Sequence, residues 1–244
     1  MLRRFLFFTV GFLPAAIYAN AVTDTEPVEV KSARLLTARL AAGYSYSYFD
    51  AVQSLRQDNS LLYSDGVNSA RLGTQILGGL STSEGKFNSI IGGGYDRYLL
   101  KWLEAFTFAT YESNVIASVR GKFLSGAGMK VVFVKTPDLL LDCSLAPTYV
   151  QTTYTALPMR EDLSLSLRAR LRWRIVGALN LAIPYFMVID TKNSSDQWHS
   201  LEPSLTYAFA ENADVSTGYR YRYNVLNQAY AGIIYMTVAA RFKN

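Results

Sequence analysis

Polar and apolar residues alternate one by one along much of the chain. From Asp162 to Arg174 the odd positions are Leu163, Leu165, Leu167, Ala169, Leu171 and Trp173. The even positions are Asp162, Ser164, Ser166, Arg168, Arg170, Arg172 and Arg174. Successive side chains of a strand point to opposite faces, so the segment has one apolar and one polar face. Wound as a helix, its four arginines would spread round the circumference and destroy any apolar stripe. The same period recurs where Val215, Thr217, Tyr219, Tyr221 and Tyr223 alternate with Ser216, Gly218, Arg220, Arg222 and Asn224. Leu40, Ala42, Tyr44, Tyr46 and Tyr48 alternate with Arg39, Ala41, Gly43, Ser45 and Ser47, and Ile234 to Phe242 behaves likewise. Turn signals between such runs predict strands at 35–49, 53–64, 67–81, 86–98, 101–113, 121–136, 138–154, 161–175, 179–191, 196–210, 213–224 and 229–242. That makes twelve, with ten as the alternative count. The run from Val52 to Leu61 is the least periodic.

Connection lengths support an even number. Outer-membrane barrels have short periplasmic turns and longer outer loops. With both termini on the periplasmic side, the short connections should follow the even strands. Those connections are Asp65-Gly66, Leu99-Leu100, Thr136-Pro137, Val176-Gly177-Ala178 and Glu211-Asn212. After odd strands they are mostly longer, as at 113–120, 151–161 and 191–197, although the first, near Asp50–Val52, is short.

The amino-terminal segment has a different pattern. Arg3 and Arg4 precede an apolar run from Phe5 to Ile17, and Ala19-Asn20-Ala21 gives small residues at a cleavage position. That order reads as a secretory signal peptide over 1–21. Residues 22–34 are polar and are expected as a periplasmic leader or as a segment inside the lumen, and the barrel occupies 35–244. The apolar run is too short to span a bilayer as a helix. Without Arg3 and Arg4, the 24 bases fall to 22 against 19 acids, so the basic balance gives nucleic-acid binding little support. One cysteine, Cys143, and one histidine, His199, exclude a disulfide framework and zinc or iron–sulfur clusters. The 18% charged fraction is low for a soluble domain, and the chain holds 17 tyrosines. An exported, weakly charged chain of alternating strands predicts an all-β, twelve-stranded antiparallel transmembrane β-barrel. A soluble lipocalin-like barrel, apolar inside, is the alternative.

Energetics decides which face meets lipid. Each Arg or Lys on the lipid face near the midplane costs roughly 2–4 kcal/mol. The arginine face therefore points into the lumen and the leucine face out, with Cys143 on the outer parity. The expected lumen-lining bases are Arg39, Arg71, Lys130, Arg168, Arg170, Arg172, Arg174, Arg220 and Arg222. Asp96, Glu112, Asp142, Asp162 and Glu202 are the inward acids that could pair with them.

Several segments resemble the salt-induced outer-membrane protein family of Gram-negative bacteria, a domain of unknown function. They are Gly92 to Tyr98 with Trp102 and Ala109-Thr110-Tyr111-Glu112, then Leu145 to Tyr149, Leu163 to Arg174, and Gly218 to Asn224. The resemblance covers residues 35–242 and implies an outer-membrane barrel without assigned substrate, cofactor or catalytic residues. Barrel proteins often end in an aromatic residue; this sequence departs from that with Phe242-Lys243-Asn244, and Phe242, two residues inside, is the expected signal for the barrel assembly machinery.

A basic lumen favours anions, and arginine's planar fork suits carboxylates. The expectation is a passive channel for small anionic solutes, not an enzyme, with outer-membrane lipid and the assembly machinery as partners and no metal or cofactor. A closed barrel with a structural or envelope-stress role is the alternative. A barrel enzyme built on His199 is a remote third. The runs Gly78-Gly79 and Gly92-Gly93-Gly94 lack the helix and the Gly-Lys-Ser/Thr of a nucleotide loop, and predict strand bends or tight packing instead.

Overall fold

The computed structural model describes residues 35–47, 52–79, 87–114, 119–154, 158–226 and 228–243. The expected signal peptide (1–21) and leader (22–34) lie outside the described residues, as do several outer connections. The strands are β1 (Leu35–Ser47), β2 (Val52–Ser64), β3 (Asn68–Gly79), β4 (Phe87–Leu100), β5 (Leu103–Asn114), β6 (Val119–Lys135), β7 (Leu139–Tyr154), β8 (Arg160–Val176), β9 (Leu179–Asp190), β10 (Gln197–Leu201), β11 (Ser204–Ala210), β12 (Ala213–Asn224) and β13 (Ala229–Lys243). All pairs are antiparallel, and all but β9–β11, β10–β12 and β1–β13 join chain neighbours; β1 pairs with both β2 and β13, which closes the sheet.

Thirteen strands make twelve staves. Both β10 and β11 lie between β9 and β12. They are two halves of the strand predicted as one over 196–210. The interruption falls at Glu202-Pro203, because proline has no N–H to give to a ladder. The stave is held across the gap by Glu202 N–H donating to the Pro184 carbonyl (3.1 Å) and by Tyr219 N–H donating to the Pro203 carbonyl (3.0 Å).

The tight turns lie at one end, beside Leu35 and Lys243. The β2–β3 turn uses Gly66 at φ 86°, and the Asp65 carboxylate accepts from Val67 N–H (3.0 Å) and Asn68 N–H (2.7 Å). Gly177, at φ 53°, makes the β8–β9 turn. Both are left-handed positions that glycine adopts without penalty.

Exposure alternates with the pleat. Leu163 is 54% exposed on the outside, whereas Arg220 is 1% exposed within. Trp102, Phe133, Trp173, Tyr207, Phe209 and Phe242 lie on the exterior near the tight-turn end. Tyr44, Tyr111, Tyr149, Tyr219 and Tyr221 lie on it towards the opposite end. Two aromatic girdles flank an aliphatic band, which is the arrangement of a membrane-spanning barrel.

The interior is not wholly polar. Ile90, Phe106, Phe108, Leu124 and Ala146 form one buried apolar cluster, with Val150 packed against it. Phe186 and Val188 form a second, with Trp198. The expectation that apolar residues face lipid fails at these places. On β5, Phe106 and Phe108 share the parity of Glu104, Thr110 and Glu112, so the same pleat that buries the acids buries the rings. On β9, Phe186 and Val188 share the parity of Asp190.

Candidate functional site: the charged lumen

Most interior charges occur as cross-strand pairs, because residues directly opposite on neighbouring strands share a face. Asp142 of β7 lies opposite Arg170 of β8 and accepts from its Nε (3.0 Å) and Nη2 (2.6 Å). Glu104 of β5 lies opposite Lys130 of β6, whose Nζ donates to Glu104 Oε2 (2.5 Å) and to Asp96 Oδ1 (3.1 Å). Arg71 of β3 donates to Asp96 Oδ2 (2.9 Å). At the closing seam Arg39 of β1 lies opposite Arg241 of β13. These two cations are held together by the fully buried Asp214 of β12. Arg39 donates to its Oδ1 at 3.3 Å, and Arg241 Nε lies 2.9 Å from Oδ2 in an ion pair without hydrogen-bond angles. Arg220 holds Glu202 with two donors, Nη2 to Oε1 at 3.0 Å and Nε to Oε2. Arg222, 4% exposed, follows on the same wall.

The remaining expected bases differ from these. Arg172 is partly exposed on β8, opposite Leu140 and Ala182. Arg174 sits at the tight-turn rim with its side chain 47% exposed, 3.4 Å from Asp138. Arg168 has no carboxylate within 4.0 Å among the described residues. Its guanidinium carbon instead lies 4.4 Å from the Phe108 ring centre and 5.1 Å from that of Phe186, which is directly opposite on β9. It is a cation set over two aromatic faces. Gly126 of β6, opposite Phe108, makes room for that ring: a Cβ there would stand 2.7 Å from Phe108 Cε1. A cavity of about 50 Å³, not fully enclosed, lies beside Arg168 and is bordered by Arg71, Lys130, Arg170, Phe106 and Phe108.

Of the expected inward acids, Asp96, Asp142 and Glu202 are paired as above. Asp162 meets Arg160 Nε at 2.5 Å, and Glu112 is fully buried opposite Lys122. The sequence reading missed Asp58, Glu104, Asp190, Asp196 and Asp214, and among the bases Arg56, Lys122, Arg160 and Arg241. Parity was the available signal for several: Asp214 continues the inward series Ser216, Gly218, Arg220, one step before the segment singled out. Asp196 is in a connection, where periodicity says nothing. With these included, thirteen bases face ten acids, an excess of three in place of the four that nine against five suggested.

His199 faces the other way. It pairs through Nδ1 with the Tyr185 hydroxyl (2.7 Å), and its ring lies 6.5 Å from that of Tyr223. This is a girdle contact between interfacial rings.

A family model described as a protein of unknown function, DUF481, matches residues 81–231. The chain belongs to this family. The match spans the Gly92–Tyr98, Leu145–Tyr149, Leu163–Arg174 and Gly218–Asn224 segments, and the salt-induced designation rests on those segments alone. No curated protein matches the DUF481 chain. Among solved structures it is similar to NanC porin, with TM-score 0.60 and 11% identity over 82% of this chain and 98% of that one. It is similar to KdgM porin, with TM-score 0.53 and 10% identity over 84% and 99%. A second KdgM porin structure, in complex with disordered oligogalacturonate, gives 0.51 and 11% over 84% and 99%. At these identities the likeness is one of fold. The closed barrel, its apolar exterior and this shared fold place the DUF481 chain in the outer membrane of a Gram-negative bacterium.

Proposed function

We propose that this DUF481 barrel is a passive channel for small anionic solutes. The observation that carries the reading is Arg168, a cation without a carboxylate partner among the described residues, beside the interior cavity, with Arg71, Lys130 and Arg170 around it. A fixed positive charge in a narrow lumen raises the local concentration of anions and repels cations. The KdgM porin solved with oligogalacturonate, a carboxylate-bearing oligosaccharide, supports the same reading by fold. Passage of this kind needs no catalytic residue, metal or cofactor. Assembly through Phe242 and removal of residues 1–21 belong to the same proposal, and amino-terminal sequencing of the protein from outer membranes tests the cleavage.

The decisive experiment is conductance in planar bilayers across a potassium chloride gradient. The expected reversal potential lies on the chloride side, and Arg168→Gln moves it towards zero. A cation preference overturns the proposal.

A second reading is a closed barrel with a structural or envelope-stress role. It is favoured by the depth of the interior ion pairs, since Glu112, Glu202, Asp214 and Arg220 are all nearly inaccessible. Absence of any conductance from correctly folded protein decides for it.

A further inference from the structure

The cavity beside Arg168 has a chemistry more specific than positive charge. Arg168 borders the cavity; its Nε is buried without a hydrogen-bond partner, and among the described residues no acceptor meets its guanidinium. The guanidinium carbon lies over the Phe108 and Phe186 rings, 4.4 and 5.1 Å from their centres. A guanidinium carries paired donors spaced for the two oxygens of a planar carboxylate.

The charges around the cavity favour an anion. Four cations border it, Arg71, Lys130, Arg168 and Arg170, with two carboxylates, Asp96 and Asp142, an excess of two. Just outside it, Glu104 is bound to Lys130 and interacts with Lys135, and these two further charges leave that excess unchanged. Beside the charged edge lies an apolar wall. Phe106 and Phe108 stand with ring centres 6.2 Å apart and nearly parallel, and Pro184 borders the same space. Such a wall gives little to a hydrated chloride or phosphate. It rewards a flat apolar body by removing it from water.

We infer that the lumen holds a binding site for aromatic carboxylates, with Arg168 taking the carboxylate and Phe106 the ring. The inference rests on the channel reading and narrows its solute. It is tested on detergent-purified protein by saturation-transfer NMR and calorimetry with benzoate, acetate and benzyl alcohol as probes. Benzoate is expected to bind saturably, at least about ten-fold more tightly than acetate or benzyl alcohol. Arg168→Gln abolishes that binding, Arg168→Lys restores only part of it, and Phe106→Leu lowers benzoate affinity towards that of acetate. Circular dichroism confirms that each variant remains a barrel. Equal affinity for benzoate and acetate, or benzoate binding unaltered by Arg168→Gln, overturns the inference. Bilayer recordings on the same preparations separate the two claims. Anion-selective current without benzoate preference removes the aromatic site alone. Benzoate binding without current removes the channel and leaves the site.

Discussion

Asp214 is the point at which the seam of the barrel is most exposed to perturbation. It is fully buried and neutralises Arg39 and Arg241, which face each other from the first and last strands. At an effective dielectric of about 20, each ion pair at such separations is worth about 4 kcal/mol before desolvation. Burial of the carboxylate takes back several kcal/mol. Asp214→Asn removes both attractions and leaves two like charges opposed, with side chains only 25% and 21% exposed, so solvent screens them weakly. The expected loss is about 3–5 kcal/mol, the usual cost of orphaning a buried ionic partner. Guanidinium unfolding in lipid vesicles, followed by the fluorescence of Trp102, Trp173 and Trp198, measures it. Neutralising all three residues, as Arg39→Gln, Asp214→Asn and Arg241→Gln together, should recover most of the loss, because no charge is left buried alone. A single-variant loss below about 1 kcal/mol, or a triple variant no more stable than Asp214→Asn, would refute the reasoning.

Other substitutions probe the remaining parts of the structure. Gly126→Ala places a methyl 2.7 Å from Phe108 Cε1 and from the Pro147 carbonyl oxygen. Overpacking should cost about 1–3 kcal/mol in the same unfolding assay and weaken anion preference by shifting Phe108 from Arg168. Leu145→Arg, on the exposed face of β7 midway along the strand, should cost about 2–4 kcal/mol in vesicles, and a neutral result would argue against a lipid-facing exterior. In the β2–β3 turn, hydrogen bonds from the Asn68 side chain, then from the Asn68 and Val67 amides, hold the Asp65 carboxyl below its ordinary pKa. A depressed folded pKa stabilises above the unfolded value, near pH 3.9, and that contribution disappears as pH falls through the folded one. Asp65→Asn should therefore lower the unfolding midpoint at neutral pH, and the gap should narrow on acidification. A gap independent of pH contradicts this.

Local alternation made the walls of the barrel legible, and the interior pairing much less so. Leu163 to Arg174 reads as a two-faced strand without help, since each residue's face depends only on its own parity. The tight turns at Asp65-Gly66 and Gly177 are similarly local, because glycine carries the backbone requirement there. That Asp142 meets Arg170, or that Asp214 bridges Arg39 and Arg241, depends on register between strands and on closure, and alternation is blind to both. Arg168 stood in the right series, but its lack of a carboxylate partner follows from Phe108, three staves away, projecting inward through the gap left by Gly126. Phe108 and Phe186 had no place in the sequence expectations, and both rings turn inward because they share the parity of Glu112 and Asp190. A lumen crossed by charged residues can equally use aromatic faces as partners.

The break at Pro203 has a mechanical corollary. Most of the wall is laced continuously by backbone, but here one stave passes its load through the Glu202 amide, the Pro203 carbonyl and the Arg220 side chain. Amide hydrogen exchange should therefore be fastest, among the staves of the wall, at the residues flanking this joint. Any breathing of the cylinder would begin at this hinge line, away from the tall β6–β8 panel that carries Arg168.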